Sequence, residues 1–336
     1  MTTRRPLTLP ELTAVLAPLG HPLAVHDLSG GLFAAVQAVD LADGRCVVTK
    51  TGQPDGNGRL LTHEARLLRG EIALLRRVEA IGGVGAPRIL LTDLTREHVD
   101  VDVVALEMLP GTAWQDVRPA MTDEAERTAA EAVGGIMAAL HTATGDRFGY
   151  PVEASGIGGG TWPEAFATMM QALLADAERW DVAVDAPRVR EAVAGSRDQL
   201  AEVATPRLVH MDLWPGNVLV HPATGEVSGV VDLERGLFAD PLMDFVGHEP
   251  LRTGSLPDGA AAGYLAAGGT LPLDPTAGTV SGLTPAADRR LSLYRLYLTL
   301  IMTIEVVPRR YDWAGLAEYL DSLVDNRATL LAQLDV

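Results

Sequence analysis

Between Leu208 and Asp244 the chain reads Leu-Val-His-Met-Asp-Leu-Trp-Pro-Gly-Asn-Val-Leu-Val and then Gly-Val-Val-Asp-Leu-Glu-Arg-Gly, a His-x-Asp-Leu-x-x-x-Asn pattern followed by a strand and an Asp. Asp212 and Asn217 lie five residues apart across a loop that contains Pro215-Gly216, so they converge from the two ends of one turn. Asp232 closes the apolar run Val230-Val231, and Val218-Leu219-Val220 is its natural hairpin partner through Pro222-Ala-Thr-Gly225. Three hard oxygen groups are thereby brought together. Magnesium prefers oxygen donors and takes only one or two protein side chains, phosphates and water filling its octahedron, which suits Asn217 and Asp232. Asp212 is then left to face a hydroxyl, which it can orient and deprotonate as a bond to phosphorus forms.

A second chemical signal is Lys50, the single lysine among 27 basic residues, at the end of the strand-like run Arg45-Cys-Val-Val-Thr-Lys50. Codon usage that favours arginine accounts for the other 26. Arginine is a planar fork and lysine a compact ammonium on a thin stem, so the surviving lysine marks a tight site such as a phosphate cradle.

These groups need a scaffold. The 336 residues suggest about two lobes, and 47% hydrophobic content is ample for a sizeable core. A net charge of -17 argues against nucleic acid and anionic membrane partners. Cys46 is alone, no secretory signal or long uncharged apolar run is apparent, and a reducing, cytoplasmic setting is the expectation. Strand-like segments cover Ala24–Leu28, Leu32–Val39, Cys46–Lys50, Arg88–Leu91 and Val99–Met108. The pattern predicts one helix among them, from about Leu60 to Ala80, with Glu64 and Glu71 on its apolar stripe. A carboxylate on a core face needs a cation, and Lys50 is the candidate. The two glutamates sit about 10 Å apart along such a helix, too far for one ammonium to grip both. After Pro110-Gly111 the pattern becomes helical: Asp123–Leu140, Trp162–Trp180, Arg188–Val203, Ala286–Glu305 and Trp313–Leu331. Gly156–Gly160 and the Gly- and Pro-rich stretch Leu256–Pro285 read as loops.

On these residues the chain resembles the aminoglycoside phosphotransferase and fructosamine kinase group of the protein-kinase-like superfamily, over roughly Leu23 to Asp244. The resemblance implies an α+β, two-lobed kinase-like fold: a small antiparallel-sheet lobe with one main helix over 1–109 for the nucleotide, and a larger, mostly helical lobe over 110–336 for catalysis and the acceptor. It implies that Ser29, Gly30 and Gly31 cover the phosphates, that Lys50 holds them, and that Glu71 rather than Glu64 fixes Lys50. It implies a hinge at Leu106–Gly111 where backbone groups of Glu107 and Leu109 meet a base between Leu106 and Met108. Asn217 and Asp232 become magnesium ligands and Asp212 the catalytic residue. Met211 replaces the glycine common in the group's His-Gly-Asp, and Trp214 fills a variable position. The short passage from Glu234-Arg235 to Ala239-Asp-Pro-Leu-Met-Asp244 leaves no room for a long activation segment, which favours a small-molecule acceptor. Glu234, Arg235, Asp240 and Asp244 are acceptor-binding candidates, with the helices from Thr161 to Val203 beside them. ATP is the expected donor, with GTP open, and magnesium the expected metal. The acceptor expected is an aminoglycoside-like or other aminated sugar or antibiotic. A ketoamine or simple sugar kinase is the alternative, and an inactive nucleotide-binding pseudokinase the reading from another class. No obligate protein partner is evident.

Overall fold

The computed structural model describes residues 5–28, 34–54, 58–276 and 282–336. Helix α1 (Leu9–Val15) opens the chain, its start fixed by a capping box between Thr8 and Glu11. Strands β1 (Pro22–Asp27), β2 (Ala35–Leu41) and β3 (Cys46–Thr51), helix α2 (Leu67–Ile81), and strands β4 (Ile89–Asp93) and β5 (Val103–Glu107) follow. The strands form one antiparallel sheet in the order β1-β2-β3-β5-β4.

Alternation along the strands gives each face its own core. Val39, Val47, Val103 and Ala105 pack with Leu12 and Val15 of α1 and with Leu16 just after it. Val48, Val104 and Leu106 join the core that holds Leu68, Ile72 and Leu75 of α2. Lys50 lies two residues beyond Val48 and opposite Val104, so the pleat points its side chain to the α2 face.

The helix expected from Leu60 begins later. Thr62–Glu64 form a single 3-10 turn, Arg66 takes a left-handed φ of 52°, and only then does α2 start. Side chains satisfy the backbone there in place of helical bonds: the Leu61 N–H donates to Glu64 (2.8 Å), and Thr62 donates its N–H (2.6 Å) and hydroxyl (2.8 Å) to Asp176.

Beyond the hinge come β6 (Thr112–Ala113), α3 (Trp114–Val117), α4 (Asp123–Leu140), β7 (Phe148–Gly149), β8 (Gly158–Gly159) and α5 (Trp162–Arg179). Helices α6 (Ala186–Gly195) and α7 (Arg197–Ala201) replace the single helix expected over Arg188–Val203. The break falls at Ser196, whose hydroxyl donates to Ala192 O (2.8 Å) and accepts from Arg289 (2.9 Å). Strands β9 (Arg207–Val209), β10 (Val218–Val220), β11 (Val227–Val230) and β12 (Leu237–Ala239) carry the chemical motifs. Helices α8 (Leu242–His248), α9 (Asp258–Ala266), α10 (Pro285–Arg309) and α11 (Leu316–Gln333) complete the chain. A small antiparallel-sheet lobe with one main helix thus sits beside a larger, mostly helical lobe.

Helix α9 occupies part of the stretch read as loop. It crosses α4 at glycine contacts: a Cβ on Gly134 would stand 2.1 Å from Ala260 O, and one on Gly263 1.9 Å from Glu131 O. Helix α10 is long and apolar enough to cross a membrane, but 83% of its apolar window is buried inside the protein, as the core of the second lobe requires.

Candidate active site

Lys50 is 5% exposed, and a buried ammonium needs counter-charge. Glu71 on α2 supplies one carboxylate at 2.8 Å and Glu234 another at 3.0 Å, while Asp232 makes a direct hydrogen bond. Burial alone lowers the affinity of Lys50 for its proton, but Asp232, Glu234 and Glu71 outweigh it and hold the ammonium well above the ordinary lysine range. Burial raises the Glu234 carboxyl to about 8, helped by the Asp232 charge, so Glu234 keeps its proton at neutral pH. Asp232 follows β11 with a left-handed φ of 68° and ψ of 57°, a conformation Asp tolerates better than most residues, and this turns its carboxylate toward β3. Glu64 pairs with Arg309 of α10 instead, so the two glutamates of the stripe serve different cations.

The loop from β9 to β10 holds Asp212 and Asn217 together. The Asn217 amide donates to the Asp212 carbonyl and to its Oδ2, both at 2.9 Å, which leaves the Asn217 carbonyl oxygen as its metal-capable atom. Met211 adopts a left-handed φ of 62° where glycine is common in the resembled group. Asp244 holds that turn: its Oδ1 accepts from the N–H groups of His210 (2.8 Å) and Met211 (2.7 Å). Its Oδ2 contacts His141 at 2.9 Å, and His141 reaches Tyr264 at 3.0 Å. Helix α8 approaches closely at Gly247, where a Cβ would lie 2.4 Å from the Met211 carbonyl carbon. Burial raises the Asp212 carboxyl to about 6; Arg235 opposes the shift and Asp232 and Glu305 add to it.

The model for the phosphotransferase enzyme family matches residues 28–278. The chain belongs to that family. It is a small-molecule phosphotransferase. No curated protein sequence matches it. Among solved structures it is similar to a thermostable mutant of aminoglycoside phosphotransferase APH(4)-Ia in ternary complex with AMP-PNP and hygromycin B (TM-score 0.62, 17% identity, 96% of this chain and 97% of that one). It is also similar to a presumed fructosamine-3-kinase from Thermobifida fusca (TM-score 0.64, 21% identity, 96% and 98%). A third similar structure is the GDP complex of aminoglycoside 2'-phosphotransferase-IIIa (TM-score 0.58, 17% identity, 96% and 99%). The fold is therefore the two-lobed kinase-like one.

Within this phosphotransferase the remaining candidates separate by what they touch. Ser29, Gly30 and Gly31 lie outside the described residues. The Glu107 N–H donates to Arg88 O (2.9 Å), and the Glu107 side chain pairs with Arg88 at 3.0 Å. Met108 is 38% exposed at the hinge. Arg235 pairs with Glu305 of α10 at 3.0 Å, and Glu305 also meets Arg309 at 3.2 Å. Two acceptor candidates are corrected. Asp240 is 4% exposed and accepts from Arg290 (2.9 Å), Tyr294 (2.8 Å) and the Leu242 N–H (3.1 Å). Asp244 is fully buried and anchors the loop from β9 to β10. Both carboxylates are taken up by partners inside the second lobe. Glu64, Arg309 and Tyr311 were missed as parts of one polar network; Glu64 alone carried a signal, as a carboxylate on an apolar stripe.

Proposed function

We propose that the protein transfers the terminal phosphoryl group of ATP to a hydroxyl of a small aminated acceptor, an aminoglycoside-like or related amino sugar. The observation that carries the reading is the convergence of Lys50, Glu71 and Asp232 with the Asp212–Asn217 pair. Lys50, fixed by Glu71, is the donor for the α and β phosphates. Asp232 and the protonated Glu234 share the ammonium with Glu71, and phosphate oxygens join them there. The base edge meets the hinge at the Glu107 carbonyl, since the N–H is already donated, and at the Leu109 backbone, against Leu106 and Met108. Residues 1–109 form the nucleotide lobe and 110–336 the catalytic and acceptor lobe; the pairing of β6 with β10 supports a boundary at the hinge.

Magnesium fits the donor set, because Asn217 offers a carbonyl oxygen and Asp232 a carboxylate held ionised by Lys50. When bound, the metal neutralises charge that develops on the phosphates. Asp212 orients the acceptor hydroxyl and takes up its proton, and the rate gain comes mainly from positioning and charge neutralisation. Among the described residues five carboxylates (Glu64, Glu71, Asp212, Asp232, Glu305) stand against three cations (Lys50, Arg235, Arg309) in this region, with Glu234 protonated beside them, which favours a protonated amine on the acceptor. A reducing compartment supplied with ATP suits this reading and the lone Cys46.

The test is magnesium-dependent ATP consumption across aminoglycosides, amino sugars, amino alcohols, ketoamines and neutral sugars, with Asp212→Asn as the blank. Stimulation by amine-bearing compounds is expected. Stimulation by neutral sugars alone overturns the acceptor class, and no stimulation above the blank by any compound overturns the reaction.

A further inference from the structure

We infer that the seam between α2 and the second lobe is a binding site for a small dianion of the phosphate class, separate from the nucleotide cleft. A cavity of about 380 Å³ opens there between the C-terminal half of α2, the segment 145–153 and Phe238 of β12. Its volume is that of a small-molecule pocket. Three arginines line it: Arg76 and Arg77 from α2 and Arg147 from the facing segment.

The chain has 44 acidic residues to 27 basic ones, and several arginines find carboxylates: Arg69 and Arg96 on Asp102, Arg290 on Asp240. Among the described residues Arg76, Arg77 and Arg147 make no ion pair within 4.0 Å, although Asp146 and Glu153 also line the cavity. Two of the three are held in place by other means. The Arg77 guanidinium lies 5.2 Å from the Phe238 ring centre and donates to Thr144 O at 3.5 Å; Arg147 donates to Tyr150 O at 3.3 Å. Each guanidinium carries five N–H donors, so most of them remain for a ligand. Planar forks match the paired oxygens of phosphate, and charge-assisted hydrogen bonds of that kind are the strong ones.

The location gives the site a consequence. Helix α2 also carries Glu71, and it already docks on the segment opposite: Arg66 donates to Ala154 O at 2.7 Å, and a Cβ on Gly70 would lie 2.8 Å from the Ala154 Cβ. A dianion bridging α2 to Arg147 reinforces that docking and holds Glu71 against Lys50.

Thermal unfolding of the full chain in inorganic phosphate, at ionic strength fixed with sodium chloride and with or without ADP, tests the site. Binding to the folded state alone raises the apparent Tm. The expected result is a saturable rise that persists when ADP fills the cleft. In Arg77→Gln/Arg147→Gln the phosphate affinity falls about tenfold or more while the ADP response stays. Arg76→Glu, a charge reversal at an exposed position, gives the same loss if the double variant does not fold. A rise that chloride reproduces, that ADP abolishes or that survives in these variants overturns the inference, as does no rise at all. The ADP response reports nucleotide binding separately, so failure here is distinguishable from failure of the proposed reaction.

Discussion

Replacing Lys50 with Met removes the one ammonium shared by Glu71, Asp232 and Glu234 while keeping side-chain length. One oxygen from each of these three carboxylates lies within 4.8 Å of the other two. Two unit charges at that distance repel by about 3.5 kcal/mol at an effective dielectric of 20. Breaking a buried pair typically costs about 3–5 kcal/mol, so the loss expected for Lys50→Met at pH 8 falls in that range. Protonation of the carboxylates relieves the repulsion, and the loss shrinks toward pH 5. Glu234→Gln is the contrast: Glu234 holds its proton up to a pH of about 8, and the amide keeps its shape, so a change within about 1 kcal/mol is expected. Urea unfolding followed by tryptophan fluorescence at both pH values measures each variant. Unaltered stability of Lys50→Met at pH 8, or a loss that grows on acidification, refutes the reasoning.

Asp212→Asn lowers kcat by about 10²–10⁴-fold with nucleotide affinity unchanged, the range for removing a positioned general base, as steady-state kinetics and nucleotide titration will show. His63 is buried against Tyr150, and burial first, then Arg235 and Arg309, depress it from 6.5 to about 3. It has no effect on stability above pH 6.5 and destabilises the fold progressively as the pH falls toward 3, because only the unfolded chain takes the proton; at pH 5 the penalty is about 2 kcal/mol. His63→Gln removes that part of the slope, and denaturation curves between pH 7 and 5 that match those of the parent contradict it. Gly134→Ala places a Cβ 2.1 Å from Ala260 O and 2.5 Å from Tyr264 N, forcing α9 off α4 at about 1–3 kcal/mol in thermal or urea melts; an unchanged melt shows a looser crossing.

The groups legible in the sequence are those joined by short chain segments. Asp212 and Asn217 share a turn, Asp232 ends the neighbouring strand, and strand alternation fixes the direction of Lys50. Partners remote in sequence were not legible. The Arg309 that claims Glu64 lies 245 residues away, and the Asp176 that ends the turn before α2 lies 114 away from Thr62. Asp240 and Asp244 looked like acceptor ligands because a motif shows residue types and not which way they face. Helix α9 was hidden by its composition: Gly259 and Gly263 lower intrinsic helix propensity, yet here they allow the close crossing with α4. The left-handed Met211 had only one sequence signal, its departure from glycine, and nothing local revealed that Asp244 would hold the turn.

The proposed reaction is transfer of phosphate from a nucleotide to a hydroxyl of a small aminated molecule. Mass spectrometry of the reaction with ATP, magnesium and the stimulating compound tests it most directly. The expected product is an acceptor heavier by one phosphoryl group, formed in equal amount to ADP and absent with Asp212→Asn. ADP accompanied only by free inorganic phosphate, with the acceptor unmodified, contradicts it.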